Sequence, residues 1–219
     1  MMEAMDAPFS DVLTDPAALA ELYRPPSRLV MDKVVTELDA GCRQLIAAST
    51  FVLVGTSDAQ GLCDVSPKGG PAGFVKVLDE HRLAIPDLNG NNRLDSLRNV
   101  LARPYVGLLF VVPGQGETLR VNGRAWVTTS ADVLDRFGDE LRRPTAAIGV
   151  AVDEAYLHCA KAFRRGGLWE PERWPDAADL PSVAEVLCDH VGMESESAPS
   201  VADALEQGYR RDLAADLPV

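Results

Sequence analysis

The residues best suited to chemistry in this chain lie in Asp87-Leu88-Asn89-Gly90-Asn91-Asn92-Arg93. This turn-rich stretch leaves an apolar run and feeds a helical pattern, and the free amides of a helix start form a ready anion site. Asn92 reads as the helix cap, with Asp95 three residues later, so Arg93 falls in the first turn. A cation there opposes the helix dipole, which makes sense if an anion sits beside it. An ordinary Asn-Gly turn with a solvated arginine is the other reading. These residues alone leave both open.

Two further groups have suitable chemistry. Ser66-Pro67-Lys68-Gly69-Gly70-Pro71 reads as the end of a strand, because its prolines cannot continue a ladder. Its glycines let a flat ring or a phosphate approach the backbone, and Lys68 offers one point charge. A flexible surface loop is the plain alternative. His158, Lys161, Arg164 and Arg165 are expected on one helix, capped by Asp153 and ended by Gly166-Gly167. Cations at a helix C-terminus complement its dipole without any further role. Beside Trp169, in an acidic chain, they also form a compact basic cluster.

Sharper motifs are missing. Gly114-Gln115-Gly116 lacks the third glycine and the helix of a dinucleotide fingerprint, so it reads as a hairpin turn. No Walker loop is present. His81, His158 and His190 are too far apart for a helical metal pair, and no metal is expected. His158 and Cys159, as helical neighbours, would point about 100° apart. No side chain stands out as a catalytic group.

The bulk properties narrow the partners. The chain has 219 residues, 47% hydrophobic and 25% charged, with a formal net charge of −12. Those proportions suit an ordinary globular protein and exclude a disordered or fibrous one. The acidic balance argues against nucleic acid and anionic membrane surfaces as partners. Cys42, Cys63, Cys159 and Cys188 have no metal or redox spacing and read as core thiols of a reduced protein. Met1 to Ser10 shows no leader pattern, and Tyr105 to Pro113 is too short to span a bilayer. A cytoplasmic protein is the expectation.

Short helices are expected after Asp15-Pro16, from Ser27, and from Glu37 to Ala48, with Leu38, Cys42, Leu45 and Ile46 on the apolar face of the last. Strands follow at Phe51–Gly55, Leu62–Ser66, Val75–Leu78, Arg82–Ile85, Tyr105–Val112, Thr118–Thr129 and Ala146–Val152. The turns between most of them are too short for parallel crossovers, so the sheet is antiparallel. One helix interrupts the strands, with Leu94, Leu97 and Leu101 as its stripe. The reading is an α+β, mainly β chain: an antiparallel β-barrel of six or seven strands with surrounding helices. Its parts are an N-terminal helical cover (1–48), the barrel (49–170) and a C-terminal helical tail (171–219), with helices near Ser182–His190 and Ser200–Leu213.

The order of motifs carries a resemblance. Phe51-Val52-Leu53-Val54-Gly55-Thr56 is followed by Asp64-Val65-Ser66-Pro67-Lys68-Gly69 and Leu83-Ala84-Ile85-Pro86-Asp87. Gly90-Asn91-Asn92-Arg93-Leu94-Asp95-Ser96-Leu97, Val106-Gly107-Leu108-Leu109-Phe110 and Leu119-Arg120-Val121-Asn122-Gly123-Arg124 complete the set. Over roughly Gln44 to Trp169 the chain resembles the pyridoxamine 5′-phosphate oxidase-like flavoproteins, in a branch described as probable FMN-dependent enzymes. The resemblance implies a split antiparallel β-barrel of about six strands that forms a homodimer with FMN at the subunit interface. It also implies that Asn91, Asn92 and Arg93, with Lys68, hold the FMN phosphate. Ser66, Pro67 and the backbone of Ile85, Pro86 and Asp87 would line the ring, while Lys161, Arg164 and Trp169 would reach it from the partner.

FMN suits these residues, because its near-dianionic phosphate needs locally focused donors in an acidic chain. The implied function is an oxidoreductase working through the flavin on a small molecule. A non-catalytic flavin- or haem-binding sensing module of the same fold is the alternative, and relatives of this architecture also bind a deazaflavin. The namesake's C-terminal arginine-and-proline substrate signature has no clear match in Tyr209-Arg210-Arg211-Asp212-Leu213 or Asp216-Leu217-Pro218. Pyridoxamine phosphate is therefore not carried over as the substrate.

Overall fold

A computed structural model of the chain describes residues 8–218. Residues 1–7, part of the stretch read above for a leader, lie outside it, as does residue 219. The chain divides into two compact units, Met1–Val34 and Val35–Val219. In the first, the Asp15 carboxylate accepts from the Ala17 amide at 2.9 Å and opens one 3-10 turn at Pro16–Ala18. α1 (Leu19–Leu22) and α2 (Arg28–Asp32) follow, separated by Pro25-Pro26. Prolines there supply no amide to continue a helix.

The second unit begins with α3 (Ala40–Ala48), capped by Asp39, whose carboxylate accepts from the Cys42 amide at 2.7 Å. The cap explains why the helix starts after Asp39 and not at Glu37. The same bond holds the Asp39 carboxyl below the usual carboxylate range. Asp39→Ala should cost about 1 kcal/mol in urea unfolding at neutral pH. A lowered folded-state pKa stabilises at pH above the ordinary aspartate value and loses that effect as pH falls through the lowered one. The two proteins should therefore converge in acid.

The strands are β1 (Phe51–Ser57), β2 (Cys63–Gly69), β3 (Lys76–Asp79) and β4 (Arg82–Pro86). Then come α4 (Asp95–Ala102), β5 (Tyr105–Val111), β6 (Thr118–Thr128), α5 (Ala131–Leu134) and β7 (Ala147–His158). The chain continues with α6 (Lys161–Gly166), α7 (Val183–Val191) and α8 (Ala198–Ala215). The seven strands form one sheet in the order β2-β1-β5-β6-β7-β4-β3. Every pairing is antiparallel, and β2 and β3 remain unjoined edges, so the barrel is split. Alternation holds in β6, where Leu119, Val121 and Ala125 are buried while Arg124 and Trp126 face outward. The main core joins these residues to Val52, Val54, Leu108, Phe110, Ile148 and Val150, with Leu38, Cys42 and Ile46 packed against them.

Several local expectations change. Ser66 to Gly69 do not leave a ladder: Pro67 pairs with Leu53 and Lys68 with Val52 inside β2. An edge strand tolerates proline because its outer side needs no amide donor. Asp153 caps no helix. β7 runs on through it to His158, and Asp153 is the extra residue of a bulge where Asn122 faces Glu154 and Gly123 faces Val152. His158 is therefore on a strand, apart from Lys161, Arg164 and Arg165 on α6.

The helix α4 starts at Asp95 with Leu94 as its cap, so Asn92 is not the cap and Arg93 precedes the first turn. Its buried face is Ser96, Asn99 and Val100, and Leu101 is 75% exposed. The Asn99 side-chain amide donates to Thr56 Oγ1 at 3.0 Å, a buried polar bond that turns this face inward. Of the cysteines, Cys42 and Cys188 are buried and Cys63 and Cys159 are exposed. Burial pushes the Cys42 thiol up to about 11. Cys63 opens the edge strand and Cys159 follows the last one, which is why neither reaches the core.

Candidate functional site

Strand β2 supplies one wall of a cleft. Its alternation places Asp64, Ser66 and Lys68 on one face, half-buried, with Val65 and Pro67 on the exposed one. The opposite wall is the loop from Asp87 to Arg93, which leaves buried β4 and enters α4. These elements meet because α4 packs on β1 through the Asn99–Thr56 bond and β1 pairs with β2. The cleft between them has a volume of about 290 Å³. Ser66, Pro67, Lys68, Asp87, Asn91, Asn92 and Arg93 all line it.

The loop is backbone-strained. Asn92 has φ 56° and Leu94 φ 60°. Asparagine visits this region readily, whereas for leucine it costs roughly 1–2 kcal/mol. Asn91 Oδ1 accepts from the Arg93 amide at 3.1 Å, which tightens the bend. Among the described residues no side chain caps α4. The first-turn amides of a helix have no partner within it, and Asp95, Ser96 and Leu97 of that turn line the cleft.

Two cations and three carboxylates share this space. Lys68 Nζ lies 3.9 Å from Asp87 Oδ1, with both side chains about one-quarter exposed. Arg93 Nε donates to Asp95 Oδ2 at 2.7 Å. Asp95, and secondarily Asp64, raise the Arg93 pKa above the usual arginine value. The Arg93 side chain is 75% exposed, and an exposed ion pair contributes little net stability. Arg93 can therefore exchange Asp95 for a stronger anion at small cost. Lysine, arginine, two amides, a serine hydroxyl and uncapped helix amides make a donor set that fits a phosphate.

Other expected site residues lie elsewhere. Ile85 and Pro86 are buried in β4 beneath the loop, and Ile85 belongs to the main core. Lys161 and Arg164 stand exposed on α6. Trp169 donates from Nε1 to the Gln115 carbonyl at 2.8 Å and meets Phe163 edge-on at 5.9 Å. With Phe51, Leu53, Leu109, Val111 and Trp174 it lines a separate apolar hollow of about 570 Å³.

Asp64 and Asp95 belong to the cleft although sequence reasoning passed them over. Period-two spacing from Ser66 and Lys68 would have found Asp64. Glu37, Glu80 and His81 also meet on the surface, their ligand atoms within 4.8 Å of one another, because the Leu38 amide bonds to the Glu80 carbonyl. No described helix is long and apolar enough to cross a membrane.

A family model described as pyridoxamine 5′-phosphate oxidase matches residues 38–159. Among solved structures, HupZ from Group A Streptococcus is 16% identical, with 54% of this chain and 92% of that one covered and a TM-score of 0.46. HutZ from Vibrio cholerae, described as a haem storage protein, is 14% identical, with 56% and 94% covered and a TM-score of 0.39. An FAD-binding protein from Mesorhizobium loti is 17% identical, with 57% and 98% covered and a TM-score of 0.38. No curated protein matches the chain.

Proposed function

The chain belongs to the pyridoxamine 5′-phosphate oxidase family, and from that membership we propose that it is an FMN-dependent oxidoreductase acting on a small molecule. One observation carries the proposal: Lys68, Asn91, Asn92 and Arg93 converge with an uncapped helix start in a single cleft. In this reading Arg93 and Lys68 hold the phosphate, the asparagine amides complete the donor set, and Ser66, Pro67 and Asp87 border the ring. FMN, when bound, supplies the hydride or electron transfer. The chain's own residues bind and orient it, and a cation near the ring favours its anionic reduced form.

The proposed assembly is a homodimer with the flavin at the subunit interface. Exposed Trp126, Tyr105 and Phe51 on the outer face of the sheet, and the apolar hollow that Phe51 lines with Trp169 and Trp174, suit a second copy of the chain. Lys161, Arg164 and Trp169 of one subunit would then meet the other's flavin, since none lines the cleft of its own chain.

The test is the visible absorption spectrum of the purified protein, followed by acid release and mass analysis of any chromophore. Released FMN that is bleached by a reductant and recovered by an acceptor supports the reading. A haem or deazaflavin spectrum replaces the cofactor, and a colourless protein that takes up no added FMN removes it. A monomer by light scattering at micromolar concentration removes the interface assignment.

A further inference from the structure

The C-terminal tail is hydrogen-bonded to the cleft loop through Asp216 at the end of α8. One Asp216 carboxylate oxygen accepts from both the Asn89 amide, at 3.1 Å, and the Asn89 side-chain amide, at 2.7 Å. The Asp216 carbonyl accepts from the Arg142 amide at 2.8 Å. The Asp87 amide in turn donates to the Ala146 carbonyl at 3.0 Å. The loop is thus tied at its base to the segment before β7 and at its tip to the tail, which is tied to that same segment. The circuit closes across 127 residues of sequence.

Asp216 is out of place by local rules. It forms the C-terminal cap of α8, and no basic residue occupies the last turn. A carboxylate there opposes the helix dipole. A side chain that works against its own helix while satisfying two donors of a neighbouring loop acts for that loop.

We propose that Asp216 is a positioning residue for the cleft, holding Asn89 so that Asn91, Asn92 and Arg93 stay in their strained arrangement. The tail is then part of the ligand site and more than a cover outside the barrel. The link to flavin rests on the function proposed above. The loop geometry does not.

The experiment uses full-length wild type, Asp216→Ala and Asp216→Asn. Asparagine keeps a carbonyl oxygen that can accept from both Asn89 donors, and alanine does not. Hydrogen exchange without ligand is read for peptides spanning Asn89 to Arg93, with β6 as the internal control. Losing these bonds should speed loop exchange by about tenfold in Asp216→Ala, leave β6 unchanged, and leave Asp216→Asn near wild type. In FMN titrations Asp216→Ala should bind about three- to tenfold more weakly, with Asp216→Asn restoring most of the affinity.

Unchanged loop exchange in Asp216→Ala overturns the proposal, and so does equal loosening in both variants. A loosened loop with unaltered FMN affinity reduces Asp216 to a packing role and overturns it too. If wild type takes up no FMN, the flavin reading falls, and loop exchange alone decides for or against Asp216.

Discussion

Replacing Arg93 by alanine should weaken FMN binding by about tenfold, because a charge-assisted hydrogen bond to a phosphate outweighs the exposed Arg93–Asp95 pair that it replaces. The companion change moves the other way. Asp95→Asn removes the carboxylate that holds Arg93 at 2.7 Å and one of the three negative charges of the cleft. Affinity should then rise by several-fold, or about 1 kcal/mol. Fluorescence quenching of FMN at fixed ionic strength measures both. Equal affinities for wild type and Arg93→Ala would remove Arg93 from the phosphate site. A loss in Asp95→Asn would mean that the carboxylate supports the ligand and does not compete with it. Added salt should narrow the differences, as it screens exposed charges.

The largest effect on stability is expected at Gly123. It faces Val152 just where β7 bulges, and a Cβ there would collide with the Ala151 carbonyl oxygen. The obstacle is backbone held by the β6–β7 ladder, so it cannot swing away as a side chain could. Gly123→Ala should therefore cost about 3 kcal/mol, the upper range for forcing atoms into a packed interior. Urea unfolding followed by far-ultraviolet circular dichroism reads the loss as a lower midpoint. A midpoint within error of wild type would mean that the bulge relaxes freely. β6 is the central strand of the sheet, so a variant that fails to fold would point the same way.

The strands were legible because alternation is local: Leu119, Val121 and Ala125 turn inward whatever lies across from them. The short turns then left only antiparallel neighbours. What misled was equally local. Asp153 resembles a helix cap, yet it is a bulge residue, since only the partner strand reveals that the adjacent Asn122 and Gly123 face Glu154 and Val152 and skip it. Of the helical stripe Leu94, Leu97 and Leu101, Leu97 packs against the core while Leu94 and Leu101 are exposed, because the Asn99–Thr56 bond turns the Ser96, Asn99 and Val100 face inward. Arg93 was singled out as a first-turn cation and stands before that turn. Its place in the cleft comes from the loop's left-handed residues.

By itself the sequence determined the class of fold and where the strands lie along the chain, and it singled out the stretch Asp87 to Arg93 as a candidate for an anion. Each depends on side-chain periodicity and turn chemistry within a few residues. The tertiary structure alone decided that Asp64 and Asp95 share the cleft with Lys68 and Arg93, that Trp169 lines a different hollow, and that Asp216 holds Asn89 from the far end of the chain. Such contacts join residues whose spacing along the chain has no fixed period. Packing sets them, and packing becomes defined only once the whole sheet has formed.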